Sequence, residues 1–163
     1  MSTRAMSLKI VAVLACLGWI APAFADVRLT TTVQKMERVA AADGTVSSRL
    51  AHAEKVIPGD EVRYTIAFEN DGAKPVDAGT VVITNPVPEN TQYIADSAFG
   101  SGTTIQFSVD GGKTFHPADE LTVVRDGIKA PATPADYTTI RWTFGPALAP
   151  AQKSYVSFNA RLQ

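Results

Sequence analysis

Residues Val81 to Ile94 read VVITNPVPENTQYI. The opening VVIT is β-branched throughout and reads as a strand. Pro86 and Pro88 then intervene. A proline has no backbone N–H to donate to a ladder, and its ring holds φ near −65°. Pairing therefore has to stop at a defined point. The segment Pro86–Asn90 reads as a stiff extended arch, after which TQYI resumes as a strand in a second sheet. That is a Greek-key type of connection.

The flanking sequence keeps a period of two. In EVRYTIAFEN, Val62, Tyr64, Ile66 and Phe68 point one way, against Arg63, Thr65 and Glu69. Ile140, Trp142 and Phe144 share a face opposite Arg141 and Thr143. Val156, Phe158, Ala160 and Leu162 alternate with Ser157, Asn159 and Arg161. Alternation of this kind marks half-buried strands. Trp142 is expected in the core, facing Tyr64, Ile66 and Phe68 or Val156 and Phe158. No stretch after residue 25 shows a convincing 3.6-residue period with caps.

Turn signals separate the strands: Asn70-Asp71-Gly72, Asp110-Gly111-Gly112, Asp126-Gly127 and Pro58-Gly59-Asp60. Asp110-Gly111-Gly112 predicts a hairpin between IQFSV and KTF. Lys129–Tyr137, KAPATPADY, reads as a loop. Asp43-Gly44 splits two strand-like runs and predicts a long N-terminal hairpin. Short strands at this spacing indicate an all-β sandwich or barrel.

The first 25 residues read as a secretory leader. Arg4 and Lys9 are basic, Leu8 to Ile20 is apolar apart from Lys9, and Ala23-Phe24-Ala25 places small residues at Ala23 and Ala25 for cleavage before Asp26. The apolar run is short for a membrane span of about 20 residues. An uncleaved anchor and lipidation at Cys16 are the alternatives. Removing 25 residues from 163 leaves 138, one ordinary domain. Cys16 is the only cysteine, so the processed chain has no thiol for a disulfide, a nucleophile or a metal.

Loss of Arg4 and Lys9 leaves 13 of the 15 basic residues against 16 acidic ones, a net charge near −3. This argues against nucleic-acid binding. No second long apolar run follows, so no membrane span is expected after processing.

Five segments carry a resemblance: PGDEVRYTIAFENDG, VVITNPVPENTQYI, SVDGGKTF, ATPADYTTIRWTF and LAPAQKSYVSFNARL. In this order and spacing they resemble the bacterial conserved-repeat domain catalogued as domain of unknown function 11, over essentially all of residues 27–163. The resemblance implies an immunoglobulin-like antiparallel β-sandwich with Greek-key connections, on exported or surface proteins. The family often occurs in tandem. This chain shows one copy, with no sorting motif or anchor, so the expectation is a small envelope protein rather than a stalk. The resemblance brings no catalytic residue with it.

Chemistry-bearing residues are sparse. Asp60-Glu61 and Asp119-Glu120 are acidic pairs, but neighbours in an extended chain point opposite ways, and acid–base work wants carboxylates facing across a cleft. Asp60 reads better as a turn residue. His52 and His116 lack a partner at ligand spacing. HPADE places His116, Asp119 and Glu120 in one loop, which reads as solvated. The glycines at 111 and 112 match a turn rather than a calcium loop or a phosphate cradle. Asn159, a candidate for an isopeptide crosslink, is expected to face outward, away from the dry interior such a bond needs.

These readings point to an exported, non-enzymatic structural or interaction module of the bacterial envelope, in the periplasm or outside the cell. Its partner would be an envelope protein or a surface polymer, with no cofactor. The alternative is a small carbohydrate-active accessory or hydrolase domain with a loop-built site, in which Tyr93, Tyr137 and Tyr155 could stack on sugars. The segment Val33–Val56 is crowded by Lys35, Glu37, Arg38, Arg49, His52, Glu54 and Lys55 and can bury little on either face. It is expected at a sheet margin or projecting from it, with Asp43-Gly44 exposed, where another chain could add a strand.

Overall fold

Eleven strands form among the described residues, 27–40 and 43–163 of a computed structural model. They are β1 (Val27–Ala40), β2 (Val46–His52), β3 (Glu61–Asn70), β4 (Val81–Pro86), β5 (Thr91–Tyr93), β6 (Phe99–Gly100), β7 (Thr103–Ser108), β8 (Thr122–Arg125), β9 (Ile128–Pro131), β10 (Thr139–Phe144) and β11 (Lys153–Leu162). The leader read over residues 1–25, with Ala23 and Ala25 at its cleavage site, lies outside the described residues. Among those described, no helix is long and apolar enough to cross a membrane.

Two antiparallel sheets pack face to face. The larger has the order β2-β1-β3-β11-β5, with β6 also on β11, and the smaller has the order β4-β10-β7. The alternating residues are what join them. Val62, Ile66, Phe68, Val156, Phe158 and Ala160 point inward from the large sheet, and Val81, Ile83, Ile140, Trp142 and Phe144 from the small one. Phe68 meets Phe144 edge to face across the interface, with centroids 5.3 Å apart. Each large apolar side chain taken fully out of water contributes about 1.5–3 kcal/mol, so this interior supplies the main driving force.

The prolines at 86 and 88 act as the sequence predicts. Pro86 is the last residue of β4, opposite Thr139. One further bond follows, from the Val87 N–H to the Thr138 carbonyl at 2.9 Å. The chain then turns at Pro88, whose carbonyl accepts from both the Thr91 N–H and the Thr91 hydroxyl. It re-enters as β5 in the other sheet. The last two strands lock the arrangement: β10 lies between β4 and β7, and β11 between β3 and β5. The protein thus has the immunoglobulin-like sandwich architecture, with Greek-key crossings and its own strand order.

Two turn expectations need adjustment. At Asp110-Gly111-Gly112 the chain does double back, and Phe107 and His116 exchange two backbone bonds of 2.9 and 3.0 Å. KTF itself forms no strand. The segment 129–137 is not all loop. Its first residues complete β9, and Pro134–Asp136 forms a 3-10 turn closed by a capping box between Thr133 and Asp136.

Candidate functional site

The longest strand outruns its neighbour. β1 pairs with β3 from Val27 to Lys35 and with β2 from Gln34 to Ala40. Beyond Lys35 the β1–β2 hairpin therefore overhangs the sandwich. Met36–Ala40, about 17 Å of strand at the usual rise, has β2 on one edge and no strand on the other among the described residues.

The reason lies in the turn before β3. Pro58 cannot donate to a ladder, and Gly59 has φ +91°, so the chain breaks away from β1 there. The Asp60 carboxylate closes the turn by accepting from the Ile57 N–H at 2.8 Å. It also meets the Lys35 ammonium at 2.6 Å. That Lys35 contact, with the Ile57 N–H second, holds the Asp60 carboxyl below the usual carboxylate range. The Lys35–Asp60 pair thus marks where pairing with β3 ends and β1 continues with β2 alone.

The open edge of β1, the Gly59–Glu61 turn and Arg161 enclose a recess of about 960 Å³. Glu37 and Arg49 are opposite each other in register, and both Nε and one terminal nitrogen of Arg49 donate to Glu37. Arg38 and Arg161 have no carboxylate within 4.0 Å among the described residues, so the rim keeps a positive excess. At the tip, Asp43 accepts from the hydroxyl and N–H of Thr45, which lower its pKa, and Gly44 has φ +82°. Both residues are exposed, as are His52 at the end of β2 and Lys55 beyond it. Every residue predicted for this hairpin falls in it or in the connection that follows.

The remaining candidates do not converge. Glu61 accepts from the Asn159 side chain at 2.9 Å, while its neighbour Asp60 faces Lys35. Asp119 and Glu120 sit in an exposed 3-10 turn, and His116 Nδ1 lies 3.9 Å from Glu120. Among the described residues no group of three or more His, Cys, Asp and Glu could hold a metal ion. The Asp110 carboxylate is already occupied. It accepts from the Ser108 hydroxyl, the N–H groups of Lys113 and Thr114, and the Thr114 hydroxyl.

One reading is overturned and another is qualified. Tyr93 and Tyr137 are buried against Phe107 in the core and offer no ring to a sugar. Asn159 does lie on the outer face of the large sheet, as alternation requires, but it is not open to solvent. The chain between β5 and β6 folds over it, leaving it 7 % exposed. Its amide accepts from Arg63 Nε at 2.9 Å and donates to Glu61, so its bonding partners are not lysine. Tyr155 is the one tyrosine of the three left half-exposed.

Comparisons with protein-family models, with curated proteins and with solved structures return no match to this chain.

Proposed function

We propose that this chain is an exported, non-enzymatic interaction module of the bacterial cell envelope, and that its protein partner engages the overhanging β1–β2 hairpin by adding a strand. The observation that carries the reading is the edge of Met36–Ala40, unpaired among the described residues, beside the Lys35–Asp60 pair. Unpaired strand edges present N–H and C=O groups that a second chain can complete, and side-chain pockets then select which chain. The positive excess at Arg38 and Arg161 favours an extended segment that carries acidic side chains. The charges lining the edge discourage indiscriminate pairing. Export to the periplasm or beyond is supported by the leader-like residues 1–25, and the envelope setting by the resemblance of the five motifs.

The test is a shortened hairpin. Residues 37–49 are replaced by Asn-Gly, which joins Met36 to Leu50 and leaves the whole β1–β3 register in place. A photocrosslinking residue at Ser48 in the full-length hairpin, with Thr143 on the small sheet as the control position, is activated in intact envelopes. The reading expects a protein adduct from Ser48, none from Thr143, and loss of partner capture by the shortened chain. A shortened chain that captures the same partner at the wild-type level removes the hairpin from the interface.

A further inference from the structure

The outer face of the large sheet carries a second, unrelated feature. β5 and β6 are two pieces of one sheet edge on β11. β5 pairs with Ala160–Leu162 and β6 with Val156–Ser157. Between them, residues 94–98 leave the sheet plane. The Asn159 backbone is kept satisfied there by the Ser97 hydroxyl and the Ile94 N–H, at 3.0 Å each. Asp96, with φ +57°, shapes the bulge. The result is a recess of about 570 Å³ floored by Arg63, Ser157 and Asn159.

One wall of this recess is aromatic. Phe99 is opposite Ser157 in register, and Tyr155 lies diagonally beside it. Their ring centroids are 5.8 Å apart, and the two residues are 49 % and 50 % exposed. Single exposed apolar residues are ordinary on protein surfaces. Two adjacent rings beside a concave polar floor match the composition of a ligand site, apolar contact area with a few placed polar groups. Arg63 spends only its Nε, on Asn159, and its terminal nitrogens have no protein acceptor among the described residues. Asp96 lines the same recess, so a donor and an acceptor stand next to the rings.

From this geometry we infer that the recess binds a neutral sugar residue of a glycan. A pyranose has an apolar C–H face that lies flat on an aromatic ring, and a rim of hydroxyl groups. Here the face rests on Tyr155 and Phe99. One ring hydroxyl accepts from Arg63 and another donates to Asp96. The Asp96 and Glu61 carboxylates offset the charge of Arg63, which disfavours an acidic sugar. This inference is independent of the hairpin and stands if that reading fails.

The test measures binding of chitohexaose, cellohexaose and hexagalacturonate to the processed protein, with amide and aromatic NMR shifts to locate the contact. A neutral hexasaccharide is expected to perturb Phe99, Tyr155 and Arg63, and hexagalacturonate to bind about tenfold more weakly or not at all. Phe99→Ala and Tyr155→Ala should each weaken binding by about tenfold or more. Ile128→Ala, at the exposed start of β9, should leave binding unchanged. The rings also hold β6 against β11. A pair that serves only that purpose would lower the melting temperature when truncated, with no saccharide binding to lose. The inference is overturned if no neutral hexasaccharide binds up to about 10 mM, if the double ring variant binds normally, if the acidic probe binds more tightly, or if the shifts map elsewhere.

Discussion

Trp142 and Phe158 meet in the middle of the sandwich, one from each sheet, with ring centroids 6.1 Å apart and planes inclined by 36°. Neither has measurable exposure. Tyr64 stacks on the other ring of the pair, Phe158, at 4.9 Å. Trp142→Ala should therefore cost about 3–5 kcal/mol, the range for truncating a buried Phe or Trp. Urea or guanidinium melts of the processed protein measure it. A loss below about 1 kcal/mol would mean that the site repacks far better than this geometry allows.

Asn70 supports a different kind of prediction. It is fully buried at the end of β3. Its amide nitrogen donates to the carbonyls of Lys74 and Leu148, and its oxygen accepts from the Gly72 N–H. One side chain thus closes the turn after β3 and ties it to the Val76–Leu148 bridge. Asn70→Ala strands these groups and should cost about 3 kcal/mol, at the upper end for unsatisfied buried groups. Asn70→Asp retains only the acceptor and should be nearly as damaging above neutral pH. Equilibrium unfolding of both variants decides the matter; wild-type stability in either would contradict it.

How much of this was legible beforehand depends on which force sets each feature. Alternation placed Val62, Ile66, Phe68, Ile140, Trp142 and Phe144 inside because the two-residue period follows directly from strand geometry. The arch at Pro86 and Pro88 was legible because a missing N–H is a local property. Asn70 read only as a turn residue, since its two long-range acceptors come from elsewhere in the chain. Tyr93 and Tyr137 were misread because a three-residue strand and the end of a 3-10 turn have too short a period to show which way a ring points. Tyr155 did carry a signal, an aromatic ring in the polar phase of β11. Phe99, its neighbour in space, did not, since a two-residue strand has no period to read. The burial of Asn159 under residues 94–98 belongs to tertiary structure alone.

The Asp110 loop should respond to acid in a defined window. The Ser108 hydroxyl, first, and then the N–H and hydroxyl of Thr114, hold the Asp110 carboxyl far below the usual carboxylate range. Its native pKa is thus lower than the unfolded value of about 3.9. The contribution to stability is complete above that unfolded value and is lost as pH falls through the native one. At about pH 3 Asp110 should still be ionised, with the Lys113 and Thr114 amides still hydrogen-bonded. Asp110→Asn should remove this step and loosen the loop at every pH. Carboxyl NMR titration reads it directly, and a midpoint near 4 would show that the hydrogen bonds do not hold in solution.

The overhanging hairpin makes the last prediction, through hydrogen exchange. β3, β10 and β11 are flanked by strands on both sides, so their amides exchange only when the sandwich itself opens. Among the described residues Met36–Ala40 and Val46–Leu50 have only each other, and a two-stranded ribbon is marginal in water. Their cross-strand amides should exchange orders of magnitude faster than those of Val62–Phe68, at rates set by local opening. A partner strand then leaves a signature that depends on where it adds. Alignment with β3, on the open edge of β1, protects outward-pointing amides within Met36–Ala40 that have no acceptor among the described residues. Addition to the far edge of β2 protects amides within Val46–His52 instead. The Lys35–Asp60 pair lies beside the first edge and is remote from the second, so Asp60→Asn should weaken only the first mode. Exchange in the complex, compared for the wild-type and Asp60→Asn chains, separates the two. Slow exchange at Met36–Ala40 in the free protein would show that this edge is already paired in solution and cannot receive a strand.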